Sequence, residues 1–451
     1  MLTNIDNPKC FRTPRFFFYI GLLTIGQTIF RPALSFTLSD WFFLISFFLA
    51  TSECLLRGNL EIRFPPFMIW GLLFFMVGGI ISSAFAKLPL MSLVALVKYL
   101  YLIAVWFWLG TVLLQTPAQV QTSIILWTSS AALSGLGALF QLFWDDIIPV
   151  VNPAWGRMQG FTEHVNDLGG LTSISLIPAI MMLTLPRKNI WLIVHSWLCV
   201  LLIAAGLLLS VSMSGISAVI VSILAWLVLN KFSFKNILIL GISAGFFFTS
   251  IYIQSHYEGI SVLTRLHDIS DDGLSSVTLR TRLETFSVAW EVIKDNPLIG
   301  VGLGPDVSLT RTGHAVHNIF MLNWYQSGLF GLIGILMILG AIALEAYKGM
   351  RDPNQEQERS IGIALFSSYI SFIVLGIAQP IFYNRFGWIS AALLLSLYSV
   401  RNRSAKWKRQ HITSYRTRSA HKLKYIYRTS FRIHKKEDVR NLAHVWNRSN
   451  F

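Results

Sequence analysis

Apolar residues fill this chain in long uncharged blocks, a pattern that predicts membrane spans and is too extended and too apolar for a soluble core. Twelve such blocks run approximately from Phe16 to Ala33, Trp41 to Leu56, Phe67 to Ala86, Leu90 to Leu114, Val120 to Phe143, Leu168 to Leu185, Ile190 to Leu209, Ile216 to Leu229, Ile237 to Ile253, Ile319 to Leu344, Ile361 to Phe382 and Phe386 to Val400. Each is near or somewhat below the roughly 20 residues that cross a bilayer core. Between the seventh and eighth, Ser212-Met213-Ser214-Gly215 is short enough to be a turn inside protein. The longest interval between blocks, 254–314, contains helical spacing of its own at Leu283, Phe286, Trp290 and Ile293, ended by Asn296-Pro297. Thr281 and Glu284 fit a capping box that starts this helix.

Composition agrees with the pattern. Hydrophobic residues make up 54% and charged residues 13%, whereas a soluble domain carries roughly 25% charge. The expected fold is therefore all-α: a polytopic membrane protein of about 12 transmembrane helices, with one large external loop containing an amphipathic helix. No internal repeat is visible, which weighs against a transporter built from duplicated halves. Cys10, Cys54 and Cys199 are scattered and suggest neither a disulfide framework nor a zinc site. The first apolar block has no small-residue cleavage site after it and reads as a span, not a removed signal peptide.

The distribution of Lys and Arg sets the expected orientation. With the N-terminus inside, the inner loops hold Lys9, Arg12, Arg15, Arg57, Arg63, Arg187, Lys188, Lys231, Lys235, Lys348, Arg351 and Arg359, while the short outer loops hold only Arg31, Lys87, Arg157 and Arg385. Both termini are then cytoplasmic, and 254–314 is external. The resulting organisation is a cytoplasmic N-terminus over 1–15, a membrane domain over 16–400 and a basic cytoplasmic tail over 401–451. That tail accounts for most of the net charge of +15: its Lys and Arg exceed Glu437 and Asp438 by 13. Tyr415, Tyr425, Tyr427 and Phe431 interleave with the basic residues, which suits anionic lipids at the inner leaflet, or a tail that only reinforces topology. Nucleic acid is not an expected partner.

Candidate chemistry lies on the outer side. In Trp155-Gly156-Arg157-Met158-Gln159-Gly160, followed by His164, Asn166 and Asp167, Arg157 is the lone basic residue, an anion ligand or the partner of Asp145 or Asp146. Arg280 and Arg282 flank the expected helix start, where free N–H groups and guanidinium groups together favour a phosphate or diphosphate; pairing with Asp268, Asp271 or Asp272 is the alternative. Gly300-Val301-Gly302-Leu303-Gly304 lacks the strand-turn-helix setting of a nucleotide loop and reads as a tight, close-packed turn. His314 and His317-Asn318 precede the tenth block. A histidine there serves as a general base or as a hydrogen-bonded interfacial anchor. No carboxylate or cysteine completes a metal set beside it.

Taken together, Arg157 with Gly160 and Asn166, the run Arg282-x-x-x-Phe286-x-x-Ala289 leading to Pro297 and Gly300-Val301-Gly302, and His317-Asn318 nine residues before Gly328-x-x-Gly331 resemble the O-antigen ligase and O-antigen polymerase superfamily over roughly residues 60 to 400. The resemblance implies a metal-independent, cofactor-free glycosyltransferase of the bacterial inner membrane. Its donor would be an undecaprenyl-diphosphate-linked glycan, its acceptor a glycan or lipid hydroxyl, and a chain-length regulator is a further candidate partner. His317, Arg282 and Arg157 would be catalytic, and Arg280, His314, Asn318 and Asn166 substrate-binding. One departure stands out: many members carry an arginine after a Ser-x-Ser pair, whereas Ser212-Met213-Ser214 is followed here by Gly215. A polymerase is the favoured reading, a ligase the first alternative and a lipid-linked glycan transporter the second. Against the transporter, Lys98 is the one Lys or Arg placed deep in a span, and the other candidates cluster outside.

Overall fold

A computed structural model describes residues 11–31, 36–58, 60, 62–144, 156–185, 189–231, 241, 245, 277–304, 315–351 and 356–403. The chain divides into two units, 1–399 and 400–451. In the second, residues 400–403 are helical. The first holds the membrane helices and every candidate site residue.

Among the described residues the fold is all-helical, with eight helical segments long and apolar enough to cross a membrane. These are α2 (Leu38–Leu56), α3 (Pro66–Ala84), the continuous pair α4 (Pro89–Leu100) and α5 (Trp106–Leu113), α6 (Pro117–Phe143), α7 (Val165–Thr184), α8 (Ile190–Ser210), α11 (Ile319–Met350) and α12 (Glu356–Ala378). Shorter helices are α1 (Arg12–Leu23), α9 (Met213–Leu229) and, outside the apolar blocks, α10 (Val277–Asp295). Residues 389–399 form α13. The expected ninth block, Ile237 to Ile253, lies outside the described residues apart from two positions.

Local chemistry explains where the helices start and stop. Pro117 opens α6 behind Thr116, whose hydroxyl accepts from Gln119 N–H at 3.3 Å while the Gln119 side chain accepts from Thr116 N–H at 3.2 Å. The first apolar block leaves the helical path at Leu23, about ten residues before its apolar run ends, because α6 captures its backbone: Gly26 N–H donates to Ser130 Oγ at 2.9 Å, and Ser134 Oγ donates to the Gly26 carbonyl at 2.8 Å. At the other end of the chain, α12 stops at Ala378, ahead of Pro380, whose ring removes a helix donor. Between α4 and α5 the helix widens into one π-turn, Tyr101–Val105, a local form common at functional sites.

Glycines on α3 and α11 face each other at close range. A Cβ at Gly78 would lie 2.6 Å from Gly331 N, and one at Gly334 would lie 2.4 Å from Phe75 N. The α3 and α11 backbones therefore touch directly, the close approach that small residues permit between membrane helices.

Candidate functional site

The segment carrying His317 and Asn318 is organised by a break in α11. Gly328 has φ 65° and ψ −169° in the middle of that helix, a region open essentially to glycine alone. The break frees backbone groups that the preceding loop then takes up. Val301 N–H donates to the Tyr325 carbonyl and Gly302 N–H to the Gln326 carbonyl, both at 3.0 Å, while Leu329 N–H donates to the Pro297 carbonyl at 3.0 Å. Gly302 N–H also donates to Ser82 Oγ and Leu303 N–H to Ser92 Oγ, each at 2.7 Å. The glycine-rich stretch is thus a close-packed splice between α10, α11, the end of α3 and the start of α4, in keeping with the tight turn read from its sequence.

His317 stands immediately before α11, half-buried, between fully buried Val316 and Asn318. Asn318 caps the helix: its Oδ1 accepts from Phe320 and Met321 N–H at 2.9 Å each, and its Nδ2 donates to the Ile377 carbonyl at 3.2 Å. The histidine backbone is consequently held between the start of α11 and the end of α12. His314 lies outside the described residues.

Arg282 lies on α10, which packs on this segment further along its length. Ala289 and Ile293 of that helix form one apolar cluster with Val316, Leu322 and Tyr325, with Phe286 and Trp324 packed against it. The helix start differs from expectation. Residues 277–280 are already helical, so Thr281 and Glu284 lie inside the helix and form no capping box. The residues before Thr281 continue the helix because Val277, Thr278 and Leu279 contain no helix-stopping residue. Arg282 is partly buried, and exposed Arg280 lies about 200° away around the helix axis.

Arg157 is nearly buried, its Nε donating to the Ser210 carbonyl at 2.7 Å and a terminal nitrogen donating to Asn166 Oδ1 at 2.6 Å. It therefore sits at the α8–α9 turn. Gly215 itself has no room for a side chain: a Cβ there would lie 2.9 Å from the Gly169 carbonyl oxygen. Ser214 bonds Gln379, just beyond α12, so the Arg157 turn and the His317 segment meet the same helix end. Asn166 orients the arginine, and its own N–H donates to His164 Nδ1 at 3.1 Å.

Burial, reinforced by the Arg157 charge, lowers the His164 pKa from its ordinary value. The unfolded chain then binds the proton more readily than the folded one. The resulting stability is complete above the unfolded value, about 6.5, and falls as pH drops through the lower folded value. Thermal unfolding of the purified protein between pH 7.5 and 5.5 should show this fall, and His164→Asn, which keeps a capping acceptor without titrating, should make it shallower. An equal fall in the variant would assign the effect elsewhere.

A cavity of about 690 Å³ was not anticipated from the sequence. Arg31, Asp40, Lys98, Tyr99, Tyr101, Tyr383 and Arg385 line it, together with Leu303 and Gly304 of the splice. Arg385 Nε donates to Asp40 Oδ2 at 2.6 Å, and Arg31 pairs with Glu163. Burial and the Arg385 charge both lower the Arg31 pKa, so the two guanidinium groups repel across the cavity. Asn384, between two lining residues, donates to Asp167 Oδ1 at 2.6 Å, next to the Asn166 that holds Arg157. The sequence did single out Lys98, Arg31 and Arg385, the first for its depth and the others for orientation. Their convergence depends on contacts such as Arg385 to Asp40, 345 residues apart.

Among the described residues, no three His, Cys, Asp or Glu side chains converge as metal ligands would. No curated protein matches the chain. Residues 198–336, which run from α8 through the break in α11, match the family model described as O-Antigen ligase, in agreement with the superfamily resemblance carried by Arg282, His317-Asn318 and Gly328-x-x-Gly331.

Proposed function

We propose that this protein is a cell-envelope polysaccharide polymerase: it transfers a glycan from an undecaprenyl-diphosphate-linked donor to an acceptor hydroxyl on the external face of the membrane. The observation that carries the reading is the apolar seam by which α10, bearing Arg282, packs on the segment bearing His317. In the proposed reaction His317 takes the proton of the acceptor hydroxyl as its oxygen attacks the anomeric carbon. The bond from that carbon to the diphosphate oxygen breaks, and the lipid diphosphate leaves with the electron pair. Arg282 and Arg157 stabilise the charge that builds on it, in a site partly screened from water where such contacts are strong. A single displacement inverts the anomeric centre. Asn318 and Asn166 act as positioning residues, one holding the His317 segment and the other Arg157.

A ligase is the second reading. Arg157 at the α8–α9 turn offers a guanidinium close to where the family arginine is missing, which removes one ground for separating this chain from ligases. The surface-polysaccharide ladder of a strain lacking the protein distinguishes the two. Single-repeat products are the outcome expected of a polymerase, and free lipid-linked polymer without attached product that of a ligase. An unchanged ladder would overturn both readings.

A further inference from the structure

The last turn of α12 touches both halves of the proposed site. On one side a Cβ at Gly376 would lie 2.8 Å from Ile319 Cγ2, and the Ile377 carbonyl accepts from Asn318 Nδ2 at 3.2 Å. That side carries His317. On the other side Gln379, only 4% exposed, donates from Nε2 to Ser214 Oγ. Ser214 Oγ lies 3.3 Å from Ser212 Oγ, which caps α9 by accepting from Gly215 N–H, and the Ser210 carbonyl of the same turn accepts from Arg157 Nε at 2.7 Å. This side carries Arg157.

The two ties leave α12 from nearly the same place. Gln379 N–H donates to the Leu375 carbonyl at 2.8 Å, so its backbone continues the helical bonding, and Ile377 lies only about 3 Å away along the axis. The amide therefore reaches out from a rigid point. A buried amide is costly unless bonded, and its bond to Ser214 is directional where an apolar side chain would give contact alone. Gly215 brings no side chain to this turn, and Arg157 enters from the segment ahead of α7. The place of the guanidinium thus depends on what holds the turn.

We propose that Gln379 is a positioning residue for transfer: acting through Ser214, it sets the spacing between the proton acceptor His317 and the anion contact Arg157. This role rests on the glycosyl-transfer reading. His317 acts on the incoming oxygen and Arg157 on the departing diphosphate, so altering their separation disturbs the reacting geometry while leaving both groups in place. A misplacement of about 1 Å costs roughly 100-fold in rate.

The test measures steady-state transfer by the purified full chain in nanodiscs for Gln379→Leu, Ser214→Ala and the double variant, with the lipid-linked donor varied. Each single change should lower kcat about ten- to a hundredfold while KM for the donor stays within about twofold, because the groups that bind it are untouched. The double variant should be no slower than the slower single variant, since both changes break the same bond. Unfolding temperature should stay close to the parent, as Gly376 still packs on Ile319 and Asn384 still donates to Asp167. Three results would each overturn the proposal: unchanged kcat in either single variant, losses that multiply in the double variant, or a loss that tracks a lowered unfolding temperature and disappears on cooling. Should Gln379→Leu fail to fold, Ser214→Ala decides alone on the same kcat criterion. His317→Ala separates the two failures. Retained transfer there defeats the reaction scheme; lost transfer there beside an unaffected Gln379→Leu defeats only the positioning role.

Discussion

Gly328→Ala should yield a protein that accumulates poorly and unfolds at a markedly lower temperature. A methyl group there would lie 2.1 Å from the Leu298 carbonyl oxygen, on a backbone with φ 65° and ψ −169°. Backbone strain at such a position costs on the order of 1–3 kcal/mol, and overfilling a packed contact costs a similar amount. Against a typical total stability of about 5–15 kcal/mol, that loss is large. Gly58→Ala is the matched control: φ is 63°, but no atom lies within 4 Å of the added carbon, so it bears the strain without the collision. Membrane yield and unfolding temperature, compared across the pair, read the splice directly. If both variants lose the same small amount, the splice does not hold the site together.

His317→Ala and Arg282→Ala should each remove transfer while leaving membrane expression normal. A positioned base contributes roughly 10²- to 10⁴-fold, and one electrostatic contact to a developing anion roughly 10²- to 10³-fold. Arg282 is partly buried on a helix whose seam is made by Phe286, Ala289 and Ile293, so truncating it leaves that packing intact. Arg157→Ala would be harder to interpret, since Arg157 also ties the Ser210 carbonyl and Asn166. Transfer measured in membranes with lipid-linked substrate is the readout. Near-full activity in either variant would remove that residue from the mechanism.

The apolar blocks made the spans legible, because long uncharged runs have few other uses. Where the blocks misplaced a boundary, the cause was long-range. Nothing near Leu23 in sequence announces the end of α1; the serines that stop it lie about a hundred residues away on α6. At α10 the error ran the other way, since Thr281 and Glu284 satisfy the spacing of a cap but the backbone before them is already helical. The Asn318 cap and the Gly328 break went unread in the sequence although both are local, since an Asn before an apolar run and a glycine within it are also compatible with an uninterrupted span. The cavity had no such signature. It is assembled from residues after α1, on α2 and α4, in the splice and after α12, and although Lys98, Arg31 and Arg385 stood out singly, nothing in their spacing joins them.

The splice also sets a timetable for biogenesis. Ser82 bonds both the Gln326 carbonyl and Gly302 N–H, partners made 244 and 220 residues after it. At about 5–20 residues per second, the ribosome supplies them roughly ten to fifty seconds later. During that interval the end of α3 sits in the bilayer with its eventual partners still unmade, so the N-terminal spans must persist as a provisional assembly. This end of the helix bundle is therefore completed only by the late arrival of α11, whose broken helix serves as the closing stitch.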